Sequence, residues 1–131
     1  MTTDPVADML NRLMNASRAK KETALVPYSQ FKERILEALK REELVGDVLR
    51  RGKKSKRRIE VWLRYRQEGA PIIQHCRRIS RPGRRSYLKK TALTGPRHEK
   101  GLVVLSTPQG VLTHKEARAK RVGGEALFEI W

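Results

Sequence analysis

Acidic residues are scarce in this chain: fourteen Asp and Glu stand against thirty Lys and Arg, a formal net charge of +16 with a pI near 10.8. An excess of that size opposes compaction through self-repulsion unless an anion shares the surface. A polyanion is therefore the leading expectation for a partner, ahead of a membrane surface or an acidic protein. Cysteine is almost missing. The single Cys76 cannot form an internal disulfide, which fits a reducing compartment such as the cytoplasm. No apolar run approaches the length of a membrane span, and no amino-terminal secretory signal is expected. Hydrophobic residues still make up 38% of the chain, enough for a folded protein rather than a disordered basic tail.

The chemistry of enzymes is equally sparse. His75 and Cys76 are adjacent, but neighbours on a strand point to opposite faces and cannot form a nucleophile–base pair. Cys76 is expected as a small buried apolar residue. His98 and His114 stand alone, without a second ligand at metal spacing. There is no phosphate-cradling loop of Walker type, no dinucleotide fingerprint, and no pair of carboxylates in an apolar setting. The expectation is a protein that is not an enzyme and takes no cofactor, metal or small-molecule substrate.

What is present is a succession of short periodic segments. At 131 residues the chain forms one domain or two very small packed ones. Asp4-Pro5 reads as an N-cap with proline at the first helical position, and Val6, Met9, Leu10, Leu13 and Met14 give an apolar helical face. Arg12, Arg18, Lys20 and Lys21 make a basic side and end, either solvated or in contact with phosphate. Ala24 to Val26 reads as a strand. Ser29 caps a second helix with Phe31, Ile35, Ala38 and Leu39 as its core face; Lys32, Glu33, Arg34, Glu37, Lys40 and Arg41 are expected on a solvated outer face with paired charges.

Val45 to Leu49 opens a hairpin that returns through Ile59 to Tyr65, with Ile59, Val61, Leu63 and Tyr65 on the core side. Trp62 falls on the other face, where it packs on the helices or stacks on a base; packing is expected. The tip, Arg50 to Arg58, is basic everywhere except Gly52 and Ser55. Its alternatives are a flexible solvated tip and a phosphate contact, and repulsion within so dense a run favours phosphate. Lys53, Lys54, Lys56 and Arg57 would supply affinity rather than sequence reading.

Glu68-Gly69-Ala70-Pro71 reads as a boundary between subdomains at 1–67 and 68–131. Beyond it, Ile72 to Ile79 reads as a strand, Arg81-Pro82-Gly83 as a type II turn, and Ser86-Tyr87-Leu88 as a further strand. Arg77, Arg78, Arg81, Arg84 and Arg85 make this turn basic. The fold class expected is α+β: a helix–strand–helix–strand–strand unit followed by a mainly β unit with one short helix.

The function is placed in the last stretch, Gly101 to Trp131. Leu102 to Leu105 is an apolar strand; Ser106-Thr107-Pro108-Gln109-Gly110 is a small polar loop suited to hydrogen bonding a polar partner. Ser106, Thr107 and Gln109 can each donate and accept, and Gly110 lets backbone amides approach. Thr113 with Glu116 forms a capping box for a short helix, and Gly123 fits a left-handed stop. Val122-Gly123-Gly124 also lets the backbone pass close to a neighbour. In the final strand Ala126, Phe128 and Ile130 alternate with Glu125, Leu127, Glu129 and Trp131.

Three motifs in order carry a resemblance: Asp4-Pro5-Val6-Ala7-Asp8-Met9-Leu10 with Asn15-Ala16, then Ile79-Ser80-Arg81-Pro82-Gly83, then Gly101, Val103 to Thr107, Gly110-Val111, Thr113, Glu116-Ala117-Arg118 and Gly123-Gly124-Glu125. The chain resembles the S-eight family of small-subunit ribosomal proteins in its bacterial form. The resemblance implies binding to an irregular stem in the central domain of small-subunit ribosomal RNA, early in assembly. It carries that role to Ser106, Thr107 and Gly110, places Tyr87 near the same RNA, and aligns Glu125 after the double glycine. It further implies a cytoplasmic location in the ribosome and the fifth and twelfth small-subunit proteins as neighbours. Two departures stand out. Pro108 and Gln109 replace a serine and a lysine of the common loop, and Thr94-Gly95-Pro96-Arg97-His98 replaces a short acidic, leucine-containing turn. The alternative reading is a basic nucleic-acid-binding regulator, such as a repressor of its own messenger RNA, acting off the ribosome.

Overall fold

The computed structural model describes residues 4–93 and 95–131, which fall into two compact units, 4–74 and 75–131. Thr94, part of the departing stretch, lies outside the described residues. The architecture is α+β.

In the amino-terminal unit, helix α1 (Pro5–Arg18) starts as its sequence dictates: the Asp4 carboxylate accepts from the Ala7 amide at 3.1 Å, with Pro5 behind it. Val6, Met9, Leu10, Leu13 and Met14 are buried. Helix α2 (Gln30–Arg41) is capped by Ser29, which accepts from the Lys32 amide at 3.1 Å. Its core face is rotated from the expected one. Ile35, Leu36, Ala38 and Leu39 are buried, whereas Phe31 is exposed. Lys32, expected on the outer face, is buried, because it follows the 32–35–36–39 stripe. Its ammonium donates to the Pro27 carbonyl at 3.2 Å. Desolvation lowers its pKa; Asp8 acts to raise it and Arg12 to lower it further.

Strands β1 (Thr23–Pro27), β2 (Val45–Arg51) and β3 (Arg58–Leu63) form an antiparallel sheet in the order β1-β3-β2. Ala24 pairs with Val61 and Val26 with Ile59, all four buried. Leu25, Leu49 and Trp62 stand exposed on the opposite face. The packing expected of Trp62 therefore fails: the buried residues occupy one sheet face only, and Trp62 has the other parity. Tyr65 falls beyond the strand, where it bridges to Pro71 and donates from its hydroxyl to the Lys21 carbonyl.

The carboxyl-terminal unit is a sheet in the order β4-β8-β6-β7, with β5 also on β8. Its strands are β4 (Cys76–Arg78), β5 (Tyr87–Leu88), β6 (Leu102–Thr107), β7 (Gly110–Thr113) and β8 (Gly124–Ile130). The strand expected from Ile72 to Ile79 shrinks to β4. One edge of β8 is shared, with 76–78 pairing to 128–130 and 87–88 to 124–125, so the chain between must leave the sheet. Cys76, expected to be buried, is only half-buried on this short strand. Helix α3 (His114–Lys120) carries both arms of the capping box, Glu116 amide to Thr113 Oγ1 at 3.2 Å and Thr113 amide to Glu116 Oε1 at 2.9 Å.

Its stop is Arg121, at φ 54, rather than the expected Gly123. The Val122 amide reaches back to the Ala117 carbonyl at 3.0 Å, which closes the helix before Gly123 is reached. Gly123 serves close approach instead: a Cβ there would lie 2.3 Å from the Leu88 carbonyl oxygen. Val103, Leu105, Ala117 and Ala126 form one core cluster of this unit, with Ile79, Leu88, Leu93 and Val122 packed against it. In β8 the expected alternation does not become exposure, since Leu127 and Glu129 are buried along with Ala126, Phe128 and Ile130.

Candidate nucleic-acid interface

The polar stretch 106–110 is the end of a hairpin. Ser106 and Thr107 close β6, Pro108 and Gln109 are the exposed turn, and Gly110 opens β7 at φ +113, a conformation that a side chain would strain. Thr107 holds the turn together. Its hydroxyl donates to the Gly110 carbonyl at 2.7 Å and accepts from the Gln109 amide at 3.1 Å. The Ser106 hydroxyl has no partner among the described residues.

Register then brings distant residues into one line. Tyr87 pairs with Glu125, Glu125 with Ser106, and Ser106 with Val111. Directly paired residues on antiparallel strands share a face. Tyr87, Glu125 and Ser106 therefore form a transverse row, each about 5 Å from the next. Tyr87 is 71% exposed, a large aromatic surface open to solvent. One residue along, Leu88 pairs with Gly124. A Cβ on Gly124 would sit 2.3 Å from the Ser106 carbonyl oxygen and 2.9 Å from Thr107 Cγ2. The double glycine thus keeps β5, β8 and the hairpin end close together.

The basic turn sits just before Tyr87. The Arg84 amide donates to the Arg81 carbonyl at 2.9 Å and Gly83 adopts φ +84, as a type II turn requires. Arg81 and Arg84 are exposed, with no acidic partner among the described residues. Arg85 differs: its guanidinium donates to Glu125 Oε2 at 3.1 Å. Sequence reasoning missed this pair, and it missed Ser80. Fully buried, Ser80 Oγ accepts from the Ser86 amide at 2.8 Å and donates to the Ser86 carbonyl at 3.3 Å. That clasp ties the base of the basic loop, and no local sequence pattern announces a contact of this kind.

A second basic cluster belongs to the amino-terminal unit. Gly52 turns the hairpin at φ +85, where a Cβ would lie 2.3 Å from the Lys56 carbonyl oxygen, and Lys54–Lys56 form a single 3-10 turn. Not every cation of the tip is free. Arg50 makes a two-pronged pair with Glu33 at 2.7 and 2.8 Å, and Arg51 reaches Glu60 at 3.2 Å. The hydrogen bond from Arg50 holds the Glu33 carboxyl below its usual range, against the opposing effect of burial; the same pairing raises the pKa of Arg50. Arg57 lies 5.9 Å from the Tyr28 ring centre. Lys53, Lys54 and Lys56 are exposed with no acidic partner among the described residues.

The histidines serve the fold. His114 is buried and accepts from the Val103 amide at 3.2 Å, while His98 stacks on Trp131 at 4.7 Å between ring centres. Fold and surface together define a basic α+β protein with a polar and aromatic row across β5, β8 and β6, and with unpaired guanidinium groups in the turn before Tyr87, a chemistry suited to a polyanionic partner. The chain belongs to the ribosomal protein S8 family, which it matches over residues 4–131, a family of structural ribosomal proteins and not of enzymes. It is 46% identical over 129 residues to the small ribosomal subunit protein uS8 of Bifidobacterium adolescentis, with 98% of each chain covered. It is 44% identical to that of Bifidobacterium animalis subsp. lactis over 129 residues, with the same coverage. To the Thermus aquaticus uS8 it is 45% identical over 138 residues, with all of both chains covered.

Proposed function

We propose that this protein is a structural constituent of the small ribosomal subunit that binds the central domain of its ribosomal RNA and helps assemble the subunit platform in the cytoplasm. The observation that carries the reading is the register row of Tyr87, Glu125 and Ser106 beside the Thr107–Gly110 turn. Helical RNA hides its base edges in a deep groove, so specific readers address irregular or unstacked nucleotides with flat rings and hydrogen-bonding groups. The row offers one exposed ring, one hydroxyl and one carboxylate. Arg81 and Arg84 supply phosphate contacts beside it, and Lys53, Lys54, Lys56 and Arg57 supply more from the other hairpin. Gln109 and the Gly110 backbone extend the polar edge. The fifth and twelfth small-subunit proteins are its neighbours in this reading.

The test is crosslinking in cells followed by a high-salt wash and sequencing of the retained RNA. Reads should concentrate in one irregular stem of the small-subunit central domain. Reads spread evenly over cellular RNA would sink the assignment, and reads concentrated on the protein's own messenger would favour a regulator instead.

A further inference from the structure

Three arginines crowd the turn before Tyr87, and charge alone gives them one role, phosphate contact. Geometry separates them. Arg81 and Arg84 are exposed without an acidic partner, whereas Arg85 Nη1 lies 3.1 Å from Glu125 Oε2. The Glu125 side chain is only 16% exposed and the Arg85 side chain 50%, with the guanidinium bound at Oε2.

A carboxylate at the centre of an RNA-binding face needs a reason. Ionised, it accepts hydrogen bonds and donates none, so it repels phosphate and takes only base amino or imino groups and ribose hydroxyls. That makes it a discriminating group, provided that it is neutralised against the polyanion and held in place. Within the row it lies between Tyr87 and Ser106, directly paired with each. A ring able to stack on a nucleotide thus sits on one side, and an unpartnered hydroxyl on the other.

We propose that Arg85 is a positioning residue for RNA recognition: paired with Glu125, it orients and neutralises that carboxylate so that it reads RNA hydrogen-bond donors, and it makes no phosphate contact itself. The proposal rests on the function proposed above. It divides the basic turn into two arginines that add salt-dependent affinity and one that adds discrimination.

The experiment measures binding of the full chain to a transcript of the irregular central-domain stem and to an uninterrupted duplex, over a range of salt. Arg85→Gln should lower the preference for the stem roughly tenfold, the scale of one charge-assisted hydrogen bond, and leave the log–log salt slope unchanged. Arg84→Gln should do the reverse, flattening the slope by about 0.7–0.9 while preference holds. Arg85→Lys keeps a cation beside Glu125 and should retain most of the preference. In a Glu125→Gln background, Arg85→Gln should cost nothing further, which keeps the test decisive if the single variant folds poorly. A flattened slope with intact preference in Arg85→Gln would make Arg85 a phosphate contact and overturn the proposal; so would additive losses in the double variant. If the wild-type protein shows no preference for the stem, the proposed function fails with it. Preference intact in both wild type and Arg85→Gln removes Arg85 alone.

Discussion

Ser106 and Thr107 are neighbours of similar chemistry, and the fold gives them different work. Thr107 spends its hydroxyl proton on the Gly110 carbonyl and accepts from Gln109, so Thr107→Val removes two turn bonds with little change in volume. Stability should fall by roughly 1–2 kcal/mol, read by denaturant melts, at the usual net worth of neutral hydrogen bonds. Ser106→Ala should leave the melt unchanged and weaken stem binding by roughly 0.5–3 kcal/mol, depending on whether the RNA acceptor is neutral or charged. A melt shift in Ser106→Ala with undiminished binding would take its hydroxyl out of the interface. That hydroxyls cluster here is legible in the sequence; their division is not, because it depends on where the Gly110 carbonyl lies. Glu129 was less legible still, reading as one polar position in an alternating strand. Fully buried, it accepts from Arg77 at 2.8 Å and from the His98 amide at 2.7 Å. Burial acts to raise its pKa, but the His98 amide, the Arg77 side chain and the Arg97 amide outweigh it, and the net shift is downward. A carboxyl lowered on folding contributes stability above its unfolded pKa, about 4.3, and that contribution is lost as pH falls through the folded value. Glu129→Gln turns an acceptor into a donor facing groups that themselves donate. It should cost roughly 1–3 kcal/mol at neutral pH and flatten stability against pH below about 4.3. An unchanged acid limb in the variant would mean that other carboxyls set it.

Elements were legible where their signals are local. Asp4-Pro5, Ser29 and the Thr113–Glu116 box each require only a few adjacent residues, and each cap forms as read. The misreadings arose where a neighbouring element decides. Phe31 and Leu36 both fit an apolar helical stripe, and the sheet beneath α2 selects Leu36. Trp62 has strand character, yet one-sided packing leaves its face open. Gly123 looks like a helix stop because Leu88, which forces it to be glycine, is distant in sequence. The basic hairpin tip shows the same limit. Composition makes the whole run equivalent, whereas Glu33 and Glu60 occupy Arg50 and Arg51. Replacing Lys53, Lys54, Lys56 and Arg57 by Gln should therefore flatten the salt dependence of RNA binding by about 0.7–0.9 per lost phosphate contact, with preference for the stem held. Arg51→Gln should barely move the slope. A slope insensitive to all of these changes would make the tip merely solvated.

At the scale of the whole molecule, the net charge of +16 is a cost borne by the free protein. Cations such as Lys53, Lys54, Lys56, Arg81 and Arg84 lack acidic partners among the described residues, so folding gathers like charge that only an external anion offsets. The ordered motifs from Asp4 to Glu125 made the family legible without any structure, and some of their residues, such as Gly110, Gly123 and Gly124, meet a backbone requirement. The row itself was not legible as a row: Tyr87, Ser106 and Glu125 are separated in sequence and meet only through strand register. Charge and row should contribute separately to stabilisation by ligand. Any polyanion should raise the melting temperature at low salt, with the gain vanishing near physiological ionic strength as screening shortens to about 8 Å. The central-domain stem should keep there the part contributed by hydrogen bonds and stacking, which are screened little, while its phosphate contacts weaken with salt. At a free concentration a hundredfold above its dissociation constant it should stabilise the fold by about 2.7 kcal/mol. Differential scanning fluorimetry with the stem and with heparin at matched anionic charge, at two ionic strengths, separates the contributions. Equal collapse of both gains with salt would show that charge alone binds RNA and that the row reads nothing.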